Sequence, residues 1–229
     1  MINIVMSTEF PNLVDEVKKY GFNVIPSENV DILHKFESRH GDMQCLKIND
    51  TCFVLKECKC LQKELSAYCD NIIVTDKSIE KLYPNNVLLN AVFVDNKLFC
   101  NTKTIDKSVE KYCIENGIEL ANVKQGYTKC STAIIDNLFI TADVGIFNSM
   151  TANGVEGLLI KSGDIQLNGV EYGFIGGCCI SYGDTVYFTG DILKHSDGNL
   201  ICDFLHKHSK NIICLSNEKL YDIGGFVIV

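Results

Sequence analysis

Four stretches of the sequence share one pattern, in which two short runs of β-branched and apolar residues flank a two-residue turn. The clearest stretch spans residues 129–143 and has Asp136-Asn137 at its turn. Such dipeptides between apolar runs predict β-hairpins. The turns recur at intervals of 46, 41 and 47 residues, measured between Asp50, Asn96, Asn137 and Asp184. A recurring period of roughly 20–50 residues predicts a repeat or ring architecture.

The residues after each hairpin predict one helix and one further strand. In the second unit, helical spacing of apolar residues covers about 105–116 and ends at Gly117, a common C-terminal stop. Residues 118–123 then predict a strand. The other units carry predicted helices at about 57–68, 147–152 and 200–208 and strands at 71–75, 157–160 and 211–215. Each unit therefore has the order ββαβ.

The two ends of the chain predict a fifth unit. The motif Glu-Lys-Leu-Tyr at 80–83 leads into the second unit, and the same motif at 218–221 leads into the C-terminus, 138 residues later. This offset equals three periods of 46, so 226–229 should form the first strand of a unit completed by residues 2–25. A ring that closes through both termini leaves no exposed sheet edge. We expect a single domain over 1–229.

Composition argues against several classes of partner. The net charge of −8 disfavours nucleic acid and anionic membranes, which attract basic surfaces. The N-terminus has no basic segment and no apolar run reaches about 18 residues, so we predict neither a signal peptide nor a membrane span. A cytoplasmic location is expected from this.

The 12 cysteines are expected to act as buried apolar residues rather than as a disulfide framework, because the cytoplasm is reducing. Two close pairs, Cys58 with Cys60 and Cys178 with Cys179, have no second pair at zinc spacing. We therefore predict no metal site, and no cofactor is indicated.

A ring of five ββαβ units with one unit shared by the termini resembles the pentein fold of the guanidine-modifying enzymes. Gly41-Asp42 is similar to the Gly-Gly-Asp that opens a channel strand in those enzymes, and Gly224-Gly225 resembles their C-terminal glycines. Residues 126–143, 173–177 and 220–225 also resemble an uncharacterised bacterial family assigned to this fold. The superfamily includes arginine and agmatine deiminases and dimethylarginine hydrolases.

The resemblance implies an α/β propeller of five pseudosymmetric units around a central channel. It also implies activity in that channel, where a Cys attacks a guanidinium carbon with help from a His and acidic residues. The chain departs from this pattern at two positions. Ile228 stands where the nucleophilic Cys is expected, and no His lies near Tyr127, where the channel His is expected.

Alignment of the units on their turns predicts which side chains line the channel. Strand side chains alternate between faces. The residues eight and six positions before each of the turn residues Asp50, Asn96, Asn137 and Asp184 should therefore share one face. The opposite face is mostly apolar and suits packing against the helices. The polar face, predicted to line the channel, holds Asp42, Gln44, Asn90, Lys129, Ser131 and Cys178.

These residues have the chemistry of a catalytic or ligand-binding cluster. Lys129 near Cys178 would favour the reactive thiolate. Asp42 is suited to pair a guanidinium group with two hydrogen bonds, and His40 to carry protons near neutral pH. The predicted catalytic residues are thus Cys178, His40 and Asp42. The predicted substrate-binding residues are Gln44, Asn90, Lys129 and Ser131.

Two alternatives remain open at this point. Lys129 and Asp42 could form a buried ion pair with no catalytic role. A β-bulge at Gly176-Gly177 would place Cys179 in the channel instead of Cys178, because a one-residue slip reverses every side chain.

The sequence therefore supports two functions. One is a hydrolase or transferase acting on a small guanidino or amidino compound. The other is a catalytically silent pentein that binds a small ligand or a protein partner, as the translation factor that blocks ribosomal subunit joining does on this fold. The sequence decides neither whether the protein is an enzyme nor its oligomeric state.

Overall fold

The computed structural model describes all residues from Met1 to Val229. Its fifteen strands form five separate three-stranded sheets. The strands are β1 (Ile2–Met6), β2 (Phe22–Pro26), β3 (Cys45–Ile48), β4 (Thr51–Val54), β5 (Asn71–Val74), β6 (Val92–Val94), β7 (Lys97–Cys100), β8 (Glu119–Asn122), β9 (Thr132–Ile135), β10 (Leu138–Thr141), β11 (Glu156–Leu159), β12 (Cys179–Tyr182), β13 (Thr185–Phe188), β14 (Asn211–Cys214) and β15 (Val227–Ile228).

The helices alternate with the sheets along the chain. They are α1 (Pro11–Lys19), α2 (Gly41–Gln44), α3 (Lys59–Leu65), α4 (Lys107–Glu115), α5 (Val144–Ala152) and α6 (Gly198–Lys207). None of them has the length and apolar character needed to cross a membrane.

The four hairpin units are built in the same way. The first two strands of a unit pair antiparallel across the turn, and the third strand pairs parallel to the second. The turns use a left-handed backbone, with φ of +49° at Asn49, +50° at Asp95, +52° at Asp136 and +57° at Gly183. Asn, Asp and Gly adopt this conformation at the lowest cost, which explains why the sequence places them there.

The fifth sheet joins the two ends of the chain and has the strand order β15-β1-β2. β15 pairs antiparallel with β1, with Ile228 opposite Ile4, and β1 pairs parallel with β2. The predicted unit shared by both termini is therefore confirmed. The architecture is a propeller of five ββαβ units around a central channel, as the sequence predicted.

The helix of the third unit, α5, is longer than the sequence predicted and begins at Val144 rather than near 147. Asp143 caps it, because its Oδ1 accepts a hydrogen bond from the backbone N–H of Ile146 at 2.8 Å. Such a cap satisfies an N–H that has no partner inside the helix. Ile146 and Met150 lie one turn apart and are fully buried, so this face anchors the helix to its sheet.

The core contains one fully buried phenylalanine from the second strand of each hairpin unit. These are Phe53, Phe99, Phe139 and Phe188. Burial of one such side chain contributes roughly 1.5–3 kcal/mol. Gly157 of the neighbouring strand makes room for Phe139, since a Cβ at this glycine would lie 2.2 Å from the ring.

The cysteine prediction is wrong for one pair. Cys52 of β4 is joined to Cys69 as a disulfide. The parallel pairing of β4 with β5 brings the residues just before β5 alongside Cys52. Of the ten free cysteines, seven are buried, as predicted for apolar residues.

Candidate functional site

The polar residues predicted to line the channel lie just before the inner strands rather than in them. Asp42 and Gln44 belong to the helical turn α2, and Cys178 follows a 3₁₀ turn at Ile175–Gly177. Successive side chains in a helical turn are about 100° apart, so strand alternation does not decide where these side chains point. The predicted common strand face therefore does not exist.

Within the inner strands, the opposite face lines the channel. Lys47 of β3, Phe93 of β6, and Cys179 and Ser181 of β12 line a cavity of about 260 Å³ at one end, which we call the apolar pocket. Cys178 does not line it. The 3₁₀ turn at Ile175–Gly177 thus places Cys179 at the cavity instead of Cys178, which is the effect predicted for a bulge at Gly176-Gly177.

Gln44 and Ser131, two predicted substrate-binding residues, line neither end of the channel. Gln44 Nε2 donates to the backbone oxygens of Glu28 at 2.6 Å and Ser38 at 3.2 Å. Its Oε1 accepts from the backbone N–H of Glu28 at 2.8 Å. Gln44 therefore fixes the loop between β2 and α2. Ser131 is 4% exposed, and its Oγ has no hydrogen-bond partner.

Asp42 is the most unusual buried group, although it does not line the cavity at either end of the channel. It is completely buried, and neither carboxylate oxygen has a hydrogen-bond partner. Burial raises the pKa of Asp42 to about 6; nearby His40 and Lys129 oppose the rise, and Asp222 adds to it. An unpaired buried carboxylate is costly, and such perturbed groups concentrate at functional sites.

Asp222 is near enough to Asp42 for its charge to raise the Asp42 pKa, and it is held by the backbone. Its carboxylate accepts hydrogen bonds from the N–H groups of Phe174 and Gly224, each at 2.9 Å. His40 Nδ1 lies 4.0 Å from Asp222 Oδ1. Gly177 allows this approach, since a Cβ there would lie 1.8 Å from the same oxygen. Asp222 and His40 thus form a fixed carboxylate–imidazole pair next to Asp42.

Asn90, predicted to bind substrate, instead holds the turn that carries Cys130. Asn90 Oδ1 accepts from the backbone N–H groups of Lys129 at 2.7 Å and Cys130 at 3.2 Å. Its Nδ2 donates to Cys130 Sγ at 2.9 Å. Burial, followed by the charges of Asp42 and Asp222, raises the pKa of Cys130 well above its usual range. Cys130 is therefore held beside Asp42 as a neutral thiol.

Cys178, the predicted nucleophile, is fully buried and donates its thiol to the backbone oxygen of Phe174 at 3.1 Å. Burial and the charge of Asp222 raise its pKa well above the usual range. Lys129, expected to favour its thiolate, instead lines the apolar pocket with Cys179. There Lys129 lowers the pKa of Cys179, although burial dominates and raises that pKa to about 11.

A second cavity, of about 380 Å³, opens at the other end of the channel, and we call it the acidic pocket. Its floor is formed by His40, Met43, Cys130 and Asp222. Four aromatic residues also line it, namely Phe36, Tyr127, Tyr172 and Phe174. Two glutamates, Glu37 and Glu171, complete the acidic part of the lining. Carboxylates beside aromatic faces suit a cation.

Glu37 is a buried acidic side chain of this pocket and is held in place by hydrogen bonds. It is 3% exposed and accepts from Asn86 Nδ2 at 3.3 Å and from the hydroxyl of Tyr127 at 3.4 Å. A larger cleft of about 800 Å³ adjoins the pocket and shares His40 and Asp222 with it. The acidic pocket is therefore the inner end of a wider opening.

Sequence reasoning missed Asp222, Glu37 and Cys130. Asp222 lies next to the Gly224-Gly225 motif, which is the one local signal for it. Cys130 lies at the opposite parity to the polar residues, where strand alternation predicts packing against the helices. No group of three or more His, Cys, Asp or Glu side chains has an arrangement that could hold a metal ion.

The fold is shared with solved structures of guanidine-modifying enzymes. Dimethylarginine dimethylaminohydrolase from Pseudomonas aeruginosa, as a cysteine-to-serine mutant with citrulline, superposes with a TM-score of 0.60 at 9% identity, covering 99% of this chain and 98% of that one. Agmatine deiminase from C. jejuni gives 0.52 at 10%, covering 93% and 87%. Inosamine-phosphate amidinotransferase from Streptomyces griseus gives 0.56 at 13%, covering 93% and 75%. These similarities define a pentein fold.

Within this fold, the chain belongs to a family of unknown function, DUF6873, whose sequence profile matches residues 4–227. No curated protein sequence matches the chain significantly.

Thiol labelling should follow exposure rather than the predicted channel position. Cys60 and Cys214 are exposed, whereas Cys130 and Cys178 are buried and protonated. Because the thiolate is the reactive form, we expect a small electrophile at neutral pH to label Cys60 and Cys214 first. Mass spectrometry of peptides from the folded protein measures the order. Early labelling of Cys178 would contradict the structure and restore it as a reactive thiol.

Proposed function

We propose that this protein binds a small guanidino or amidino compound in the acidic pocket. The observation that carries the proposal is the buried carboxylate of Asp42, which accepts no hydrogen bond and whose pKa is raised by burial and by the nearby charge of Asp222, a residue that lines the pocket. Two adjacent buried carboxylates repel each other, and a bound cation removes that cost. A planar guanidinium matches carboxylate geometry with paired hydrogen bonds and stacks on aromatic rings.

The charge balance of the pocket supports a cation rather than an anion. Glu37, Glu171 and Asp222 contribute carboxyl groups to its lining, and His40 is the one basic side chain there. The arginine and lysine nearest the opening, Arg39 and Lys35, line only the outer cleft. A ligand with a cationic end inside and a polar end outside is consistent with this division.

The names of the similar structures agree with this ligand class. They include an agmatine deiminase, an amidinotransferase, and a hydrolase of dimethylarginine crystallised with citrulline. Those names describe those proteins, and for this chain they support a guanidino or amidino ligand only as a proposal.

For catalysis, we assign the nucleophile to Cys130 rather than Cys178, because Cys130 lines the acidic pocket. A bound guanidinium favours the thiolate of Cys130. Its sulfur then attacks the guanidinium carbon, a C–S bond forms, and the C–N bond to an amine breaks. His40 takes the proton that the thiol loses and gives it to the departing amine. It then takes a proton from a water molecule, whose oxygen attacks the same carbon; the C–S bond breaks, the ureido product leaves, and His40 returns the proton to the Cys130 sulfur. Asp42 stabilises the cationic ligand.

A catalytically silent binder is the second candidate. It is favoured by Ile228 at the position where the resemblance expects a cysteine and by the raised pKa values of Cys130 and Cys178. Both candidates place the same ligand in the acidic pocket. They differ only in whether the ligand is converted.

Thermal unfolding with a ligand panel tests the proposal. We expect methylguanidine, agmatine or arginine to raise the melting temperature, because a ligand that binds only the folded state stabilises it by about 2.7 kcal/mol at a hundred times its dissociation constant. An amine and a urea of equal length serve as cationic and neutral controls. Equal effects of the guanidino compounds and their ureas would refute a guanidinium site.

Two variants separate binding from catalysis in the same assay. Cys130→Ala should retain stabilisation by guanidino compounds while abolishing any ureido product seen by mass spectrometry. Cys178→Ala is the matched control, since it removes a buried thiol that does not line the pocket. Binding without product in the wild-type protein would identify the silent binder.

A further inference from the structure

The apolar pocket, at the other end of the channel from the acidic pocket, is built from all five units. Strands β3, β6, β9, β12 and β15 each contribute lining residues. Its walls are largely apolar, formed by side chains that include Ala91, Phe93, Ile134, Phe226 and Ile228. At about 260 Å³ it is slightly smaller than the pockets that hold drug-sized ligands, which occupy roughly 300–1,000 Å³. Its size therefore suits a small organic molecule.

Two lysines line this apolar cavity without acidic partners. Lys129 makes no ion pair within 4.0 Å, and the nearest polar partner of Lys47 Nζ is the sulfur of Cys69 at 3.8 Å. The one carboxylate that lines the cavity, Asp136, is already bound by the ammonium group of Lys210. The two ammonium groups therefore have no ion-pair partner inside the pocket, and Asp42, whose pKa Lys129 lowers, lies outside its lining.

A third polar group in the pocket also lacks a partner. The hydroxyl oxygen of Ser181 is buried and makes no hydrogen bond. A buried hydroxyl without a partner is costly. Ser181 and Lys129 belong to neighbouring units whose inner strands, β12 and β9, lie side by side. One ligand with a charged end is therefore able to satisfy both.

We propose that the apolar pocket binds a small organic monoanion, a carboxylate on a short aliphatic or aromatic body. The carboxylate lies at the ammonium group of Lys129 and accepts from the hydroxyl of Ser181, and the apolar body fills the space against Phe93 and Phe226. Phosphates are disfavoured, because they need several polar donors and this pocket contains no arginine. The site is separate from the acidic pocket, since no residue lines both.

Thermal unfolding and NMR titration with hexanoate and benzoate test this proposal. The neutral controls are hexanol and benzyl alcohol, and the cationic control is hexylammonium. We expect the two carboxylates to stabilise the wild-type protein and to shift the amide signals of Ser181 and Ile228. The proposal would be overturned if the carboxylates stabilised the protein no more than the matching alcohols. It would also be overturned if the amide signals that shift all lay in other parts of the protein.

Variants then assign the charge. Lys129→Met should weaken carboxylate binding at least tenfold, and Lys47→Met should weaken it less. Lys103→Met is the matched control, because Lys103 is exposed and outside the pocket and its removal changes the net charge equally. Unchanged carboxylate affinity in a folded Lys129→Met protein would overturn the assignment. Binding of guanidino compounds in the acidic pocket is measured separately, so either site can fail alone.

Discussion

Gly176→Ala is expected to lower the free energy of unfolding by about 3 kcal/mol. A Cβ at Gly176 would lie 2.1 Å from the carbonyl oxygen of Lys129 and 2.6 Å from those of Cys130 and Thr132. All three are backbone atoms, in the turn before β9 and at its first residue, so they cannot move aside as a flexible side chain would. The loss is a large part of the stability of a typical domain, which is about 5–15 kcal/mol.

Gly154→Ala is the matched control for this prediction. Gly154 has a φ of +86°, and no heavy atom lies within 4 Å of the position that a Cβ would take, so its substitution costs only the backbone strain of about 1–2 kcal/mol. Urea denaturation of both variants measures the difference, provided that the slope with denaturant is unchanged. Equal losses would mean that the turns of the third and fourth units do not pack against each other in the channel.

Asp42→Asn is expected to stabilise the protein at neutral pH by up to about 3 kcal/mol, since one pKa unit corresponds to about 1.36 kcal/mol. The carboxyl group titrates near 3.8 when unfolded and near 6 when folded. Between these values, the folded state holds a proton that the unfolded state has lost. The favourable contribution is therefore full below about pH 3.8 and is lost as the pH rises through about 6.

Urea denaturation at several pH values checks the sign. The advantage of Asp42→Asn over the wild type should be small at about pH 4 and reach its maximum above about pH 7. Asp203→Asn is the control, because Asp203 is exposed on α6 and makes no ion pair. A stability difference for Asp42→Asn that does not change with pH would mean that the Asp42 carboxyl is not destabilised by folding. The same variant should bind guanidino compounds more weakly. The Asp42 carboxylate would then lower the free energy of unfolding and at the same time contribute to ligand binding.

The ring architecture could be predicted because it is encoded in local signals. Turn residues such as Asn49 and Asp136 need a left-handed backbone, and the sequence repeats them at a nearly fixed interval. The repeated motif at 80–83 and 218–221 identified β15 as the partner of β1 without any long-range information. These features depend on backbone conformation and periodicity, which a sequence displays directly.

The arrangement of the site could be predicted only in part. Asp42 and His40 were identified because they precede the first hairpin, but their direction depends on α2, a single helical turn without a distinctive pattern. Asp222 lies outside all four hairpins, and its position depends on a hydrogen bond from the backbone N–H of Phe174, 48 residues earlier, which only the folded ring creates. Long-range contacts of this kind produce no periodic pattern in the sequence.

The pH dependence of methylguanidine affinity tests the central claim most directly. Guanidinium keeps its charge throughout, whereas Asp42 loses its proton around pH 6. Calorimetry should give an affinity about tenfold higher at about pH 7.5 than at about pH 5, the effect of one added charge near the ligand. In Asp42→Asn this gain should shrink. An affinity that is the same at both pH values, or an undiminished gain in the variant, would contradict recognition of the cation by Asp42.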